Sequence, residues 1–171
     1  MNYTYYYSIN YLPTRYEATC KDWENRRIVW DFKNGNFSYS LLNEMVDTIN
    51  NEIVTGYKSD YIICFIPAST TLKTSTRYSY FASKIVERTG ITASLTAITR
   101  MFDSDAGHIT GKSNNPTSDF SFNANEFRGK KVILIDDVIT RGRTFCDTAS
   151  KLINGGALTV VGMFVAKTVN P

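Results

Sequence analysis

The chain has 171 residues, a net charge of +3, and 43% hydrophobic and 20% charged residues, the balance of an ordinary globular protein long enough to bury a core. So small a charge, with no basic run beyond the pairs Arg26-Arg27 and Lys130-Lys131, gives no nucleic-acid signal and leaves both pairs reading as solvated surface. The three cysteines (Cys20, Cys64, Cys146) lack C-x-x-C spacing, which excludes a disulfide framework or zinc knuckle and leaves Cys64 and Cys146 as buried thiols.

Residues 3–11 and 27–32, rich in Tyr, Ile, Val and Trp, are expected as strands. Tyr3, Tyr5, Tyr6, Tyr7 and Tyr11 crowd the first of them, where packing is the expected role and a homodimer surface the alternative. The start has no basic segment leading into an apolar run, and no stretch reaches membrane-spanning length, so a cytoplasmic protein is expected. Ser38 opens a helical pattern with Leu41, Leu42, Met45, Val46, Ile49 and Ile53 on one stripe. The apolar run 61–66, stopped by Pro67, fits a strand buried on both faces of a parallel sheet. Tyr78, Phe81, Ala82, Ile85 and Val86 predict a second helix ending at Gly90, and residues 94–99 a short strand. Residues 101–125, rich in Asp, Ser, Asn and Gly, read as a long functional loop.

Residues 132–135 form another buried run that ends in Asp136-Asp137. Phe145, Ala149, Leu152 and Ile153 mark a third helix closed by Gly155-Gly156, and residues 157–166 a last strand. This alternation predicts an α/β fold, a central mostly parallel sheet flanked by helices, in one domain spanning residues 1–171. Ligands bind such sheets beyond the carboxyl ends of the strands, which places Asp136, Asp137 and the turn after Ile66 on the rim.

The segment VILIDDVITRGRT, residues 132–144, is the most informative. A strand delivers two carboxylates, a turn with Gly142 follows, and a helix then begins. The free N–H groups of such a turn and first helical turn attract an anion. Thr140 and Thr144 can add hydroxyl donors, while Asp136 and Asp137 can accept from vicinal hydroxyls. A ribose 5-phosphate needs both kinds of group.

This segment resembles the motif for phosphoribosyl pyrophosphate (PRPP) in type I phosphoribosyltransferases. More weakly, NRRIVWDFKNGN, the strand ending IPAS, Arg77 and Arg100 are similar to the competence protein ComF-like branch. The resemblance implies a transferase that moves a phosphoribosyl group onto a nitrogen nucleophile and releases pyrophosphate, with Asp136 and Asp137 on the ribose. It places the 5′-phosphate at Thr140, Arg141, Gly142, Arg143 and Thr144. It puts a pyrophosphate loop, often with a strained peptide, at Pro67, Ala68, Ser69 and Thr70, and a closing loop at residues 101–125. It also implies Mg²⁺ carried by PRPP near the two acids, not a dedicated metal site, and a small-molecule acceptor gripped by a hood or edge strands within residues 1–35. Arg141 and Arg143 depart from the family, which commonly has a second Thr and a small residue there. They motivate a second reading, a PRPP- or nucleotide-binding regulatory module without turnover.

Secondary candidates are Lys73 and Arg77 as anion contacts, Arg100, His108 as an acid or base, and Lys112 reaching pyrophosphate. Residues 106–113, AGHITGKS, approximate a Walker A loop, but Asn114-Asn115-Pro116 follows where a helix is required. A P-loop NTPase is therefore the third reading.

Overall fold

In the computed structural model, which describes residues 3–103 and 117–170, the chain enters through β1 (Tyr5–Tyr11), an edge strand parallel to the last strand. Thr19 and Asp22 then form a capping box that opens α1 (Cys20–Lys33). Residues 27–32 are thus helical, not a strand. Asn25, Arg26, Val29 and Phe32 recur on the buried face, and that recurrence with the cap outweighs the local β preference of Ile28, Val29 and Trp30. Arg26 is also not solvated surface, being only 1% exposed. Its guanidinium donates to the carbonyls of Leu12 at 2.8 Å, Pro13 at 2.8 Å and Tyr16 at 3.0 Å. Lys131 of the second pair is half-buried, over the Tyr61 ring.

Ser38 caps α2 (Tyr39–Thr48), and a π-helical turn, Ile49–Ile53, keeps Ile49 and Ile53 on the buried stripe. β2 (Tyr61–Phe65) is buried at every position. α3 (Thr71–Thr89) begins well before Tyr78 because the Thr70 hydroxyl caps the Lys73 N–H, and it ends at Gly90, whose φ is 71°. The run 94–99 splits into β3 (Ala93–Ser94) and β4 (Ile98–Arg100). The Ser94 hydroxyl accepts the N–H groups of Thr96 and Ala97 and so turns the chain between them. β4 pairs antiparallel with β5 (Phe120–Phe122), and α4 (Ala124–Phe127) follows. Residues 117–125, expected as loop, therefore contribute to both. His108, Lys112 and the Walker-like segment lie outside the described residues.

β6 (Lys131–Ile139), α5 (Arg143–Asn154) and β7 (Thr159–Thr168) complete the chain. The central sheet has the order β1-β7-β6-β2-β3, and every pairing in it is parallel. One face packs Val29, Phe32, Leu42, Met45, Tyr78 and Phe81 of α1, α2 and α3. The other packs Phe145, Ala149 and Leu152 of α5 with Phe127, Ile98 and Phe120. β1 is an edge strand of the sheet and α1 part of the helical layer beside it. The tyrosines pack: Tyr3 and Tyr5 meet Phe145 edge-on, and Tyr5 also meets Phe164. Cys64 is buried, which pushes its thiol up to about 12. Cys146 is only half-buried and Cys20 is exposed. No helix among the described residues is long and apolar enough to cross a membrane.

Candidate functional site

β6 outlasts one of its neighbours. Its pairing with β2 ends at Phe65↔Ile135, whereas its pairing with β7 continues to Ile139↔Lys167. Asp136 and Asp137 therefore lie inside the strand rather than after it, on the stretch where the β2 side is open. The side-chain alternation reverses there. Ile133, Ile135 and Val138 side with the core under α1, α2 and α3, while Val132, Leu134 and Ile139 side with the core under α5. Across the reversal, Asp136 Oδ1 accepts the Asp137 N–H at 2.8 Å, and Asp137 Oδ1 accepts the Val138 N–H at 2.6 Å. The acids thus supply acceptors that a continuing β2 would otherwise have offered.

Two cations answer the two acids. Arg77, from the middle of α3, places Nη1 2.8 Å from Asp137 Oδ2 and 3.7 Å from Asp136 Oδ1, with its side chain 13% exposed. Lys33, at the end of α1, lies 3.7 Å from Asp137 Oδ2. The buried Tyr78 hydroxyl is 3.0 Å from Asp136 Oδ1 and 3.1 Å from the Ile66 carbonyl. Burial pushes the Asp136 carboxyl up to about 7, the Asp137 charge adds to this, and the Asp137 N–H, Arg77 and the Tyr78 hydroxyl oppose it. One hydroxyl hydrogen cannot serve both acceptors of Tyr78.

Downstream of the acids the chain turns through Gly142 at φ 71°, and α5 begins with no side-chain cap. Its first ladder bond runs from the Cys146 N–H to the Gly142 carbonyl at 2.8 Å, so the N–H groups of Arg143, Thr144 and Phe145 precede the ladder. They face a cleft of about 280 Å³ lined by Asp136, Val138 and Thr140 through Phe145. Thr140 spends its hydroxyl on Thr168 at 2.9 Å. Arg141 and Arg143 make no ion pair among the described residues. A second cleft, of about 660 Å³, shares Val138, Thr140 and Arg141 with the first and adds Asp137, Lys33 and Arg15.

Ala68, Ser69 and Thr70 lie outside the linings of both clefts. They serve the start of α3 instead. The Ala68 N–H donates to the Thr74 hydroxyl at 2.9 Å, its carbonyl accepts from Arg100 Nε at 2.6 Å, and the Thr70 hydroxyl caps Lys73. Lys73 Nζ lies 3.2 Å from the Ser69 hydroxyl. Arg100 also pairs with Asp119. There is no cis peptide and no non-glycine residue at positive φ among the described residues. Tyr78 and Lys33 join the site without a sequence signal of their own. A tyrosine on an apolar helix face and a lysine at a helix end are both unremarkable until the fold brings them to the acids.

No protein-family model and no curated protein matches the sequence. Among solved structures, a hypothetical protein from Neisseria gonorrhoeae with bound ppGpp is similar over 96% of this chain and 75% of its own, at 13% identity and TM-score 0.48. A hypoxanthine phosphoribosyl transferase from Trypanosoma cruzi is similar over 86% of this chain and 76% of its own, at 7% identity and TM-score 0.48. A purine phosphoribosyltransferase from Pyrococcus horikoshii Ot3 covers 96% of this chain and 93% of its own, at 13% identity and TM-score 0.39. The α/β fold class rests on the all-parallel order of the central sheet.

Proposed function

We propose that this chain is a PRPP-dependent phosphoribosyltransferase of the cytoplasm that transfers a phosphoribosyl group to a nitrogen nucleophile. The observation that carries the reading is the uncapped start of α5, opening through Gly142 into a cleft that Asp136 also lines. The resemblance of residues 132–144 to the PRPP motif agrees with it, and the ComF-like branch is the finer assignment we retain.

The N–H groups of Arg143, Thr144 and Phe145 would take the 5′-phosphate, and Arg141 and Arg143 would add charge to it. Asp136 Oδ2, free of the bonds that hold Oδ1, would accept from a ribose hydroxyl. The acceptor nitrogen bonds to the anomeric carbon with its lone pair. The bond from that carbon to pyrophosphate breaks, the electron pair leaves with pyrophosphate, and the nitrogen's proton goes to a pyrophosphate oxygen. Positive charge grows on the ribose ring meanwhile, and the protein's share is to position it beside fixed carboxylates. Mg²⁺ would neutralise the leaving pyrophosphate. The residues fit an ion held mainly by substrate, since Arg77 already pairs with Asp137 at 2.8 Å and lies 3.7 Å from Asp136.

The test mixes the protein with Mg²⁺, PRPP and a panel of purines, pyrimidines, ammonia and glutamine, and follows pyrophosphate release. Release with at least one acceptor is expected, and Asp136→Asn with Asp137→Asn should abolish it. Arg141 and Arg143, which make no ion pair among the described residues, favour the regulatory reading as the second choice. Tight PRPP binding by calorimetry, with no release across the panel, would replace the first reading with it.

A further inference from the structure

The geometry points to an acceptor that is itself an anion: a nitrogen heterocycle bearing a carboxylate or phosphate, seated in the larger cleft beside Asp137. This rests on the transferase reading and adds the substrate class to it.

Charge is the first argument. Arg15, Lys33 and Arg141 line this cleft against one carboxylate, Asp137. That carboxylate is already matched by Arg77 at 2.8 Å and Lys33 at 3.7 Å. Among the described residues Arg15 touches the Tyr16 hydroxyl and ring and makes no ion pair. With Arg141 given to the 5′-phosphate, Arg15 still faces the cleft without a counter-charge among the described residues, and a neutral heterocycle would leave it unanswered. Guanidinium groups match carboxylate and phosphate oxygens in pairs.

Preorganisation is the second. The wall that carries Pro13 and Arg15 is held by Arg26, whose guanidinium is almost fully buried and binds three carbonyls of that loop. A wall fixed before binding saves the ordering cost of binding. The third argument is position. Val138, Thr140 and Arg141 line both clefts, so a ring in the larger one meets the ribose of the smaller one across a single ridge.

Calorimetry on the full chain can test this with ribose 5-phosphate, pyridine-3-carboxylate, pyridine-3-phosphonate, the neutral pyridine-3-carboxamide and inorganic pyrophosphate. At least one anionic ring is expected to bind about tenfold more tightly than the carboxamide, and which one does so separates carboxylate from phosphate. Arg15→Gln should erase that preference while leaving ribose 5-phosphate binding unchanged, which also shows that the variant is folded. Equal binding of all three rings overturns the proposal. So does a preference that survives Arg15→Gln, or a loss confined to pyrophosphate, which would make the cleft the leaving-group site. Failure of ribose 5-phosphate to bind the unaltered protein would instead overturn the transferase reading.

Discussion

Asp136 is the residue where the fold and the chemistry pull against each other. Burial and the charge of Asp137 push its carboxyl up to about 7, while the ordinary carboxylate value holds in the unfolded chain. The folded state therefore binds a proton more tightly than the unfolded state does. Stability is then greatest below the unfolded value and falls as pH rises from about 4 through about 7, where folding must hold a buried charge. Urea unfolding at pH 5 and at pH 7.5 should show the wild-type chain weaker at the higher pH. Asp136→Asn, which carries no proton across this range, should lose most of that slope. An equal slope in both proteins would place the titration elsewhere.

At the scale of elements, α5 is the piece that makes the site, and two glycines set its place. Gly142 sits at φ 71°, and an added Cβ would meet only Ile139 at an ordinary 3.6 Å. The cost of Gly142→Ala is thus a backbone cost of about 1–2 kcal/mol, and it falls on the turn that precedes the Arg143, Thr144 and Phe145 amides proposed to take the phosphate. Gly162 of β7 is different: an added Cβ would come within 2.6 Å of Phe164 and 2.9 Å of Phe145, pressing α5 off the sheet. Ribose 5-phosphate affinity should fall more than stability in Gly142→Ala, with the order reversed in Gly162→Ala, as read by calorimetry and urea unfolding. The motif in residues 132–144 made this element readable from sequence because strand, acids, turn and helix start are local features. What was not readable is long-range. Arg77 and Tyr78 lie far along the chain from Asp136, and only the parallel pairing of β2 with β6 brings α3 onto the acids. The β-rich composition of residues 27–32 misled for the same reason, since the burial of Val29 and Phe32 against α3 is a tertiary fact. The Ser94 turn that divides residues 94–99 depends on hydroxyl geometry that composition does not carry.

Across the whole molecule, the site joins the two ends of the chain to its middle. Tyr11 of β1 accepts the Val169 N–H at 3.0 Å, the 12–16 loop leans on α1 through Arg26, and β6 supplies both acids. Arg26 touches neither cleft, yet it fixes one wall of the larger. Replacing it with Met keeps an apolar stem but removes the guanidinium from over the Trp23 ring and leaves three carbonyls without their charged donor. Some of those carbonyls can recover water, so the expected cost is about 3 kcal/mol. The functional consequence should be one-sided. Hydrogen exchange should quicken in residues 12–16, and any ligand that uses Arg15 should bind more weakly, because the loop must now be ordered at the moment of binding. Ribose 5-phosphate, proposed to sit at the start of α5 in the smaller cleft, should bind as before. If Arg26→Met weakened both ligands equally, the loop and the α5 turn would be one cooperative unit, and the division of the site into two clefts would have to be abandoned.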